Sequence, residues 1–334
     1  MRIITKTSEL AELVSDRNPK HLSLPESFRS DANQFDRGLS YTLQNSFTVE
    51  GKATFENKNS RIKVLPCSEP RSQFSLNGSK FPLKAELCEK GNHNIQLGKV
   101  KIIEHPLAWM LAFGMYAEFE LEESSFPTFD YCDKVYLDGM KDNIKSLKHR
   151  SKIGVLNPLG IVWEKGYCIL EPPQSELEAE NLVIDHQVNY PGSTVGRSRL
   201  VCEFSPERFS YFADARTTAF RTKMEAEQFY QIGLAGGLKD YPFTLENVIL
   251  LDEEKIYNPR EKFFDQTSGI DFEFLCHEMI DISSWLRFVE EEYNGRYVGK
   301  MTTYLFDHHK QIDIAQFVCN QQYMKKFNSE IVSI

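Results

Sequence analysis

The stretch VKIIEHPLAWMLAFGMYAEFELEES (100–124) decides the fold. It closes an alternating run, NIQLGKVKII (94–103), that reads as a strand bounded by turn residues. PLAWMLAFGMYA (106–117) is apolar throughout and reads as a buried helix, after which AEFELEES (117–124) alternates again as a strand. The apolar stretch from Val100 to Phe119 is interrupted by Lys101, Glu104 and His105. It is therefore a strand running into a buried helix and not a membrane span.

On the N-terminal side, YTLQNSFTVEG, KATFEN, SRIKVLP and SQFSLNG, from Tyr41 onward, are short strand-like runs separated by Gly, Asn, Ser and Pro. On the C-terminal side, the polar segment DNIKSLKHRSK (142–152) is the expected linker, followed by the strand-like GIVWEKGYCIL, NLVIDHQVNY and SRLVCEF. Ser205, Pro206 and Glu207 form a helix start, and TKMEAEQFYQIGLAGG continues as helix. NVILLDE is a strand, FEFLCHEMIDISSWLRFVEEE (272–292) a long amphipathic helix, VGKMTTYLFD a strand and HHKQIDIAQFVCNQQYMKKF the closing helix. Strands followed by helices, twice over, predict an α+β chain. At 334 residues and roughly 100–200 per domain, two domains are expected, 41–150 and 151–334, with 1–40 as an N-terminal appendage.

Hydrophobic residues at 41% and charged residues at 26% are ordinary for a globular chain. A net charge of −9 argues against a nucleic-acid-coating protein, since neutralising phosphates needs a basic face. The opening MRIITKTSELAELVSD has no apolar signal core, so a cytoplasmic setting is expected. Seven cysteines, odd in number and without a CxxC pair, point to reduced thiols and not to a disulfide framework or a Cys-rich zinc site.

Eight histidines are few enough for their placing to inform. His277 and Asp281 stand four apart on a predicted helix, one turn apart on one face, which suits a divalent metal and equally a structural pair. Glu104 and His105 sit where an apolar strand meets an apolar helix, where two ionisable groups are costly to bury unpaired. They could divide metal binding and proton transfer, or be a satisfied polar pair at a helix start. His308 and His309 follow Asp307, one able to project into a cleft. The segment around Arg216 and Thr217 lacks the Lys of a P-loop, so a hydroxyl at Thr217 near a reacting carbonyl is the better reading.

In order, IIEHPLAWMLAFGM (102–115), IDHQVNYPG (184–192), FSPERFSYFADARTTAF with GLAGG (204–237), and NVILLDEEKIYN through HEMID to TTYLFDHHKQIDIAQFV (247–318) resemble the UDP-3-O-acyl-N-acetylglucosamine deacetylase family of lipid A biosynthesis. The resemblance covers roughly 41–325. It implies two domains, each a two-layer sandwich of helices against strands, with the active site between them. It implies zinc, or iron(II) in its stead, held by His105, His277 and Asp281, with Glu104 as general base. It further implies Thr217 polarising the amide carbonyl and His308 stabilising the oxyanion and protonating the leaving amine. The partner implied is a small acylated amino-sugar (nucleotide) substrate. Neither nucleic acid nor a transmembrane segment is expected, and membrane contact is at most transient.

Four positions depart from the family pattern. The N-terminal Gly/His motif appears only as FTVEGK, without its His. Glu278 stands where a lysine near the diphosphate is usual, Thr218 where a phenylalanine is usual, and Trp285 where a carboxylate would orient the catalytic histidine. Lys239, Arg287 and Lys300 are the cations that could take over the diphosphate. The alternatives are a deacetylase of another amidated sugar or secondary metabolite, and a non-catalytic binding protein that keeps the fold.

Overall fold

The structure, a computed structural model, describes residues 1–15, 20–22, 35–91, 93–127, 133–238, 243–265 and 270–334. Two main sheets and the helices laid against them give an α+β fold. The five-stranded sheet runs in the order Phe47–Lys52, Asn59–Pro66, Ala117–Leu121, Gln73–Leu76, Ser79–Pro82. Its period-two pattern is direct: in Asn59–Pro66, Ile62 and Val64 turn inward while Arg61 and Lys63 face out. The seven-stranded sheet runs Arg2–Ile4, Leu159–Val162, Tyr167–Glu171, Gly299–Tyr304, Leu182–Tyr190, Gly196–Phe204, Lys20–Leu22.

The helix Glu104–Phe113 is buried along almost its whole length and packs against Pro206–Phe212, Glu273–Ser283 and Leu286–Tyr293. It ends at Gly114 in the left-handed region (φ 62), whose N–H returns to the carbonyls of Met110 and Leu111. A Cβ there would stand 2.6 Å from Arg150 Nη1, so any other residue would have to displace that guanidinium as well as adopt the left-handed backbone that glycine takes freely. The main apolar cluster extends from Tyr41 to Ile331, so these helices join both sheets in one interior.

Several sequence expectations are corrected. KATFEN is a turn, not a strand. The polar 142–152 segment, expected as a linker, is paired: Ile144–His149 runs antiparallel to Leu39–Leu43, with Ile144 and Leu147 half-buried and the other four residues exposed. The helix expected over 272–292 is two, Glu273–Ser283 and Leu286–Tyr293. Ser283 and Ser284 donate their hydroxyls to the carbonyls of Ile280 and Asp281 at the break, a back-bonding that bends helices. The closing helix is His308–Val318, followed by Gln321–Lys325 and an edge strand, Ile331–Ser333. The first forty residues, expected as an appendage, supply both edges of the seven-stranded sheet through Arg2–Ile4 and Lys20–Leu22. Six cysteines among the described residues are free, five of them buried.

Phe119 is fully buried, stacked on Phe74 at 4.7 Å between ring centroids and edge-on to Trp109, Phe126 and Tyr136. Phe119→Ala is expected to lower unfolding free energy by about 3–5 kcal/mol, because the ring is lost and its cavity cannot fully collapse. Denaturant titration checks this, and a loss below about 1 kcal/mol would mean that this aromatic cluster does not hold the sheet to the helix.

Candidate active site

The first part of the site is a strained turn. After the hairpin Ile95–Leu97 and Val100–Lys101, Ile102 takes φ 63, a left-handed conformation that a β-branched residue adopts at a cost of about 1–3 kcal/mol. The turn sends the N–H groups of Ile102 and Ile103 to the Ile95 carbonyl at 3.0 and 3.3 Å. Glu104 Oε2 then accepts from the Ile95 N–H at 3.0 Å. Burial pushes the Glu104 carboxyl above its usual pKa, against the lowering pull of His308 and His105. His105 is buried beside it, with Nδ1 3.4 Å from Asp133 Oδ2.

The helix Glu273–Ser283 brings the second part. His277 Nδ1 donates to the Ala215 carbonyl at 3.1 Å, and its Nε2 lies 3.4 Å from Asp281 Oδ2. His105 Nε2 lies 4.0 Å from Asp281 Oδ1. One ligand atom from each of His105, His277 and Asp281 falls within 4.8 Å of the others. Tetrahedral bonds of about 2.1 Å separate neighbouring donors by about 3.4 Å, so the set fits a single divalent ion with little adjustment. Two further observations agree. Each imidazole turns Nδ1 to an oxygen acceptor, which leaves Nε2 as the lone-pair nitrogen facing Asp281. Asp281 Oδ1 is buried with no hydrogen-bond partner among the described residues. The surroundings favour positive charge as well: burial opposes a charged His105, yet the Asp133 hydrogen bond and the carboxylates of Asp133, Asp281 and Glu104 hold its pKa up to about 9.

His308 completes the cluster, its Nε2 3.7 Å from Asp281 Oδ2. It opens a helix instead of ending a strand, with Asp307 as N-cap accepting from the Lys310 N–H at 2.9 Å. Asp307 is thus committed to the cap. Leu305, at φ 47, makes the turn that precedes it. Burial lowers the His308 pKa, but Asp281, Glu104 and Glu278 together raise it above the usual histidine value. Thr217 begins the strand Thr217–Phe220 and, with Asp281, His308, Glu278, Tyr190 and Trp163, lines a cavity of about 600 Å³. All six sequence-predicted residues, Glu104, His105, Thr217, His277, Asp281 and His308, therefore gather at one place.

Arg216 is no phosphate ligand. It is buried in a bidentate pair with Glu273, which also accepts from the Arg216 main-chain N–H. Glu278 faces the cavity with Oε2 3.6 Å from His186 Nε2, and its charge is the first cause of the raised Tyr190 pKa. Trp285 is fully buried. Of the candidate replacement cations, Arg287 is consumed by Glu290 and Glu291, Lys300 lies 3.8 Å from buried Asp185, and Lys239 is outside the described residues. Sequence reasoning missed Asp133, which precedes the helix Lys134–Met140 in N-cap position yet makes no capping bond because its carboxylate is turned to His105.

The profile of the family described as UDP-3-O-acyl N-acetylglycosamine deacetylase matches residues 40–316. The chain is 29% identical over 255 residues to the UDP-3-O-acyl-N-acetylglucosamine deacetylase of Lawsonia intracellularis (strain PHE/MN1-00), covering 72% of this chain and 77% of the relative. It is 26% identical over 231 residues to the protein so named in Aliarcobacter butzleri (strain RM4018), covering 66% and 70%.

Asp133→Ala removes the acceptor of His105 Nδ1–H, so divalent-metal affinity is expected to fall about 10- to 100-fold with the fold retained. Competition against a chromophoric chelator measures it. An affinity equal to wild type would show that Asp133 does not support His105 as a ligand.

Proposed function

The chain belongs to the UDP-3-O-acyl N-acetylglycosamine deacetylase family, and from that premise we propose that it hydrolyses the N-acetyl amide of a UDP-3-O-acyl-N-acetylglucosamine substrate, a step of lipid A biosynthesis. The observation that carries the reading is the meeting of His105, His277 and Asp281 beside a buried carboxylate and a buried imidazole. His105 and His277 through Nε2, and Asp281 through a carboxylate oxygen, would hold a divalent ion, zinc or alternatively iron(II). When bound, the ion supplies Lewis acidity, lowering the pKa of a coordinated water toward ~7 and polarising the amide carbonyl.

The rest is done by side chains. Glu104 takes a proton from the attacking water, and its desolvated carboxylate is a stronger base than one in solvent. Thr217 donates its hydroxyl to the carbonyl oxygen as negative charge develops there. His308, with its pKa raised by the surrounding carboxylates, carries a proton to the amine, which leaves poorly without it. The cavity beyond Thr217 takes the amino-sugar.

A division of the chain near residue 150 goes with this reading. It is supported by Ile144–His149 pairing with Leu39–Leu43 while Ser151–Val155 pairs with Gly295–Tyr297 and Ile331–Ser333. A cytoplasmic location is part of the proposal too. Among the described residues, no helix is long and apolar enough to cross a membrane.

A second substrate reading, an amidated sugar without diphosphate, draws on Glu278, whose carboxylate faces the cavity. Metal analysis with deacetylation assays on UDP-linked and nucleotide-free N-acetylglucosamine substrates tests the proposal. Absence of turnover on every amide by metal-loaded protein would overturn it.

Glu104→Gln is expected to keep the metal and lose about 10²- to 10⁴-fold in kcat, since the near-isosteric amide cannot take the proton. Near-wild-type turnover in a metal-loaded sample would remove Glu104 from that role. Glu278→Lys is expected to lower KM for a UDP-linked substrate relative to a nucleotide-free one, because a carboxylate about 4 Å from a phosphate charge is worth roughly 1–4 kcal/mol of repulsion. A nucleotide-free substrate serves as control. Unchanged KM for both substrates would detach position 278 from phosphate recognition.

A further inference from the structure

His308 is held by a group that the mechanism above does not use. Its Nδ1 lies 3.3 Å from the side-chain amide of Gln311, which is buried and stands three residues on, on the same face of the helix His308–Val318. The other end of that amide lies 3.2 Å from Ser284 Oγ, and Ser284 Oγ lies 2.7 Å from the main-chain carbonyl of Asp281.

Counting protons decides how this chain runs. Ser284 has a single hydroxyl proton, and the Asp281 carbonyl, an acceptor only, takes it at the shorter distance. Toward Gln311 the serine oxygen can then only accept. The oxygen and nitrogen of a glutamine amide are assigned from the network around them. The orientation that satisfies every group turns Gln311 Nε2–H to Ser284 Oγ and Gln311 Oε1 to His308 Nδ1. The reverse orientation asks Ser284 to donate one proton twice.

We propose that Gln311 is the positioning residue for His308, accepting the Nδ1–H through its amide oxygen and so directing Nε2 toward Asp281 and the cavity. Ser284 locks the amide in that sense. Because Ser284 is fastened to Asp281, the chain also ties the His308 ring to the helix that bears His277 and Asp281. An imidazole held by an acceptor at Nδ1 keeps Nε2 as the nitrogen that exchanges a proton with substrate. An amide oxygen does this without adding a further carboxylate to a site already rich in them. The proposal rests on the role given to His308 above.

The test uses full-length, metal-loaded protein with histidine ¹⁵N labelling. Side-chain nitrogen spectra recorded at a pH where His308 is neutral should show the proton on Nδ1. Gln311→Leu, nearly the same size but without the acceptor, should lose that preference and lose about 10- to 100-fold in kcat with KM little changed. Gln311→Glu, which keeps an oxygen acceptor, should restore most of kcat, and Ser284→Ala should give a smaller loss in the same direction. In a His308→Ala background, Gln311→Leu should add no further loss. Failure of the underlying reading is separable, because His308→Ala would then itself turn over normally. A neutral ring protonated on Nε2 in the wild type, or a slow His308→Ala enzyme beside a fully active Gln311→Leu, would overturn the role of Gln311. If Gln311→Leu and Gln311→Glu both fail to fold, the nitrogen spectra of Ser284→Ala and wild type still decide the orientation of the amide.

Discussion

The carboxylate of Glu273 is the constraint on which the geometry of the candidate site depends. It is fully buried and accepts from the main-chain N–H, Nε and Nη2 of Arg216 at 2.8–2.9 Å, and from Arg260 as well. Arg216 gives two further donors to the carbonyls of Leu245 and Asn258. One charge cluster thus clamps the 215–217 turn, the segment near residue 258 and the first turn of the helix Glu273–Ser283. The Ala215 carbonyl that aims His277 and the hydroxyl of Thr217 lie on either side of Arg216, so their positions follow from this pair. An isolated buried carboxylate would be intolerable in such a place. Here it is stabilised by two guanidinium groups and by the positive end of the helix that it begins.

The same physics explains what could and could not be read from the chain. His277 and Asp281 were legible because a helix converts a spacing of four into a shared face. Glu104 and His105 were legible because two ionisable groups between apolar runs demand a partner. Asp133 and Gln311 carried no such signal: their partners are fixed by how elements meet, not by a repeat along one of them. The secondary-structure misreadings have causes of equal simplicity. Ile144–His149 is polar because none of its residues is buried, and the break at Ser284 hides in a sequence whose apolar residues continue across it. The α+β class and the ordered motifs survived because they rest on long patterns; the ends of elements rest on single hydroxyls.

Electrostatically the site is divided. Around His105, His277 and Asp281, the carboxylates of Glu104, Asp133 and Asp281 concentrate negative charge, which suits a cation. At the cavity wall, Glu278 adds another negative charge beside His186, in a region where the resemblance leads one to expect a cation. Lys165 and Lys310 are the lysines lining that cavity among the described residues, and Lys310 already lies 3.6 Å from Asp313.

The edge strands of the seven-stranded sheet bear on how the molecule comes into being. Arg2–Ile4 pairs with Leu159–Val162, and Lys20–Leu22 with residues 198–200. Neither edge strand thus has its partner until the ribosome has passed residue 162 for one edge and residue 200 for the other. Pairings so distant in sequence form slowly, because the closure of a long loop must come before the contacts that compensate it. The central strand, Gly299–Tyr304, comes last of the seven in the chain, so both edge pairings can form before the strand that joins the two halves of the sheet exists.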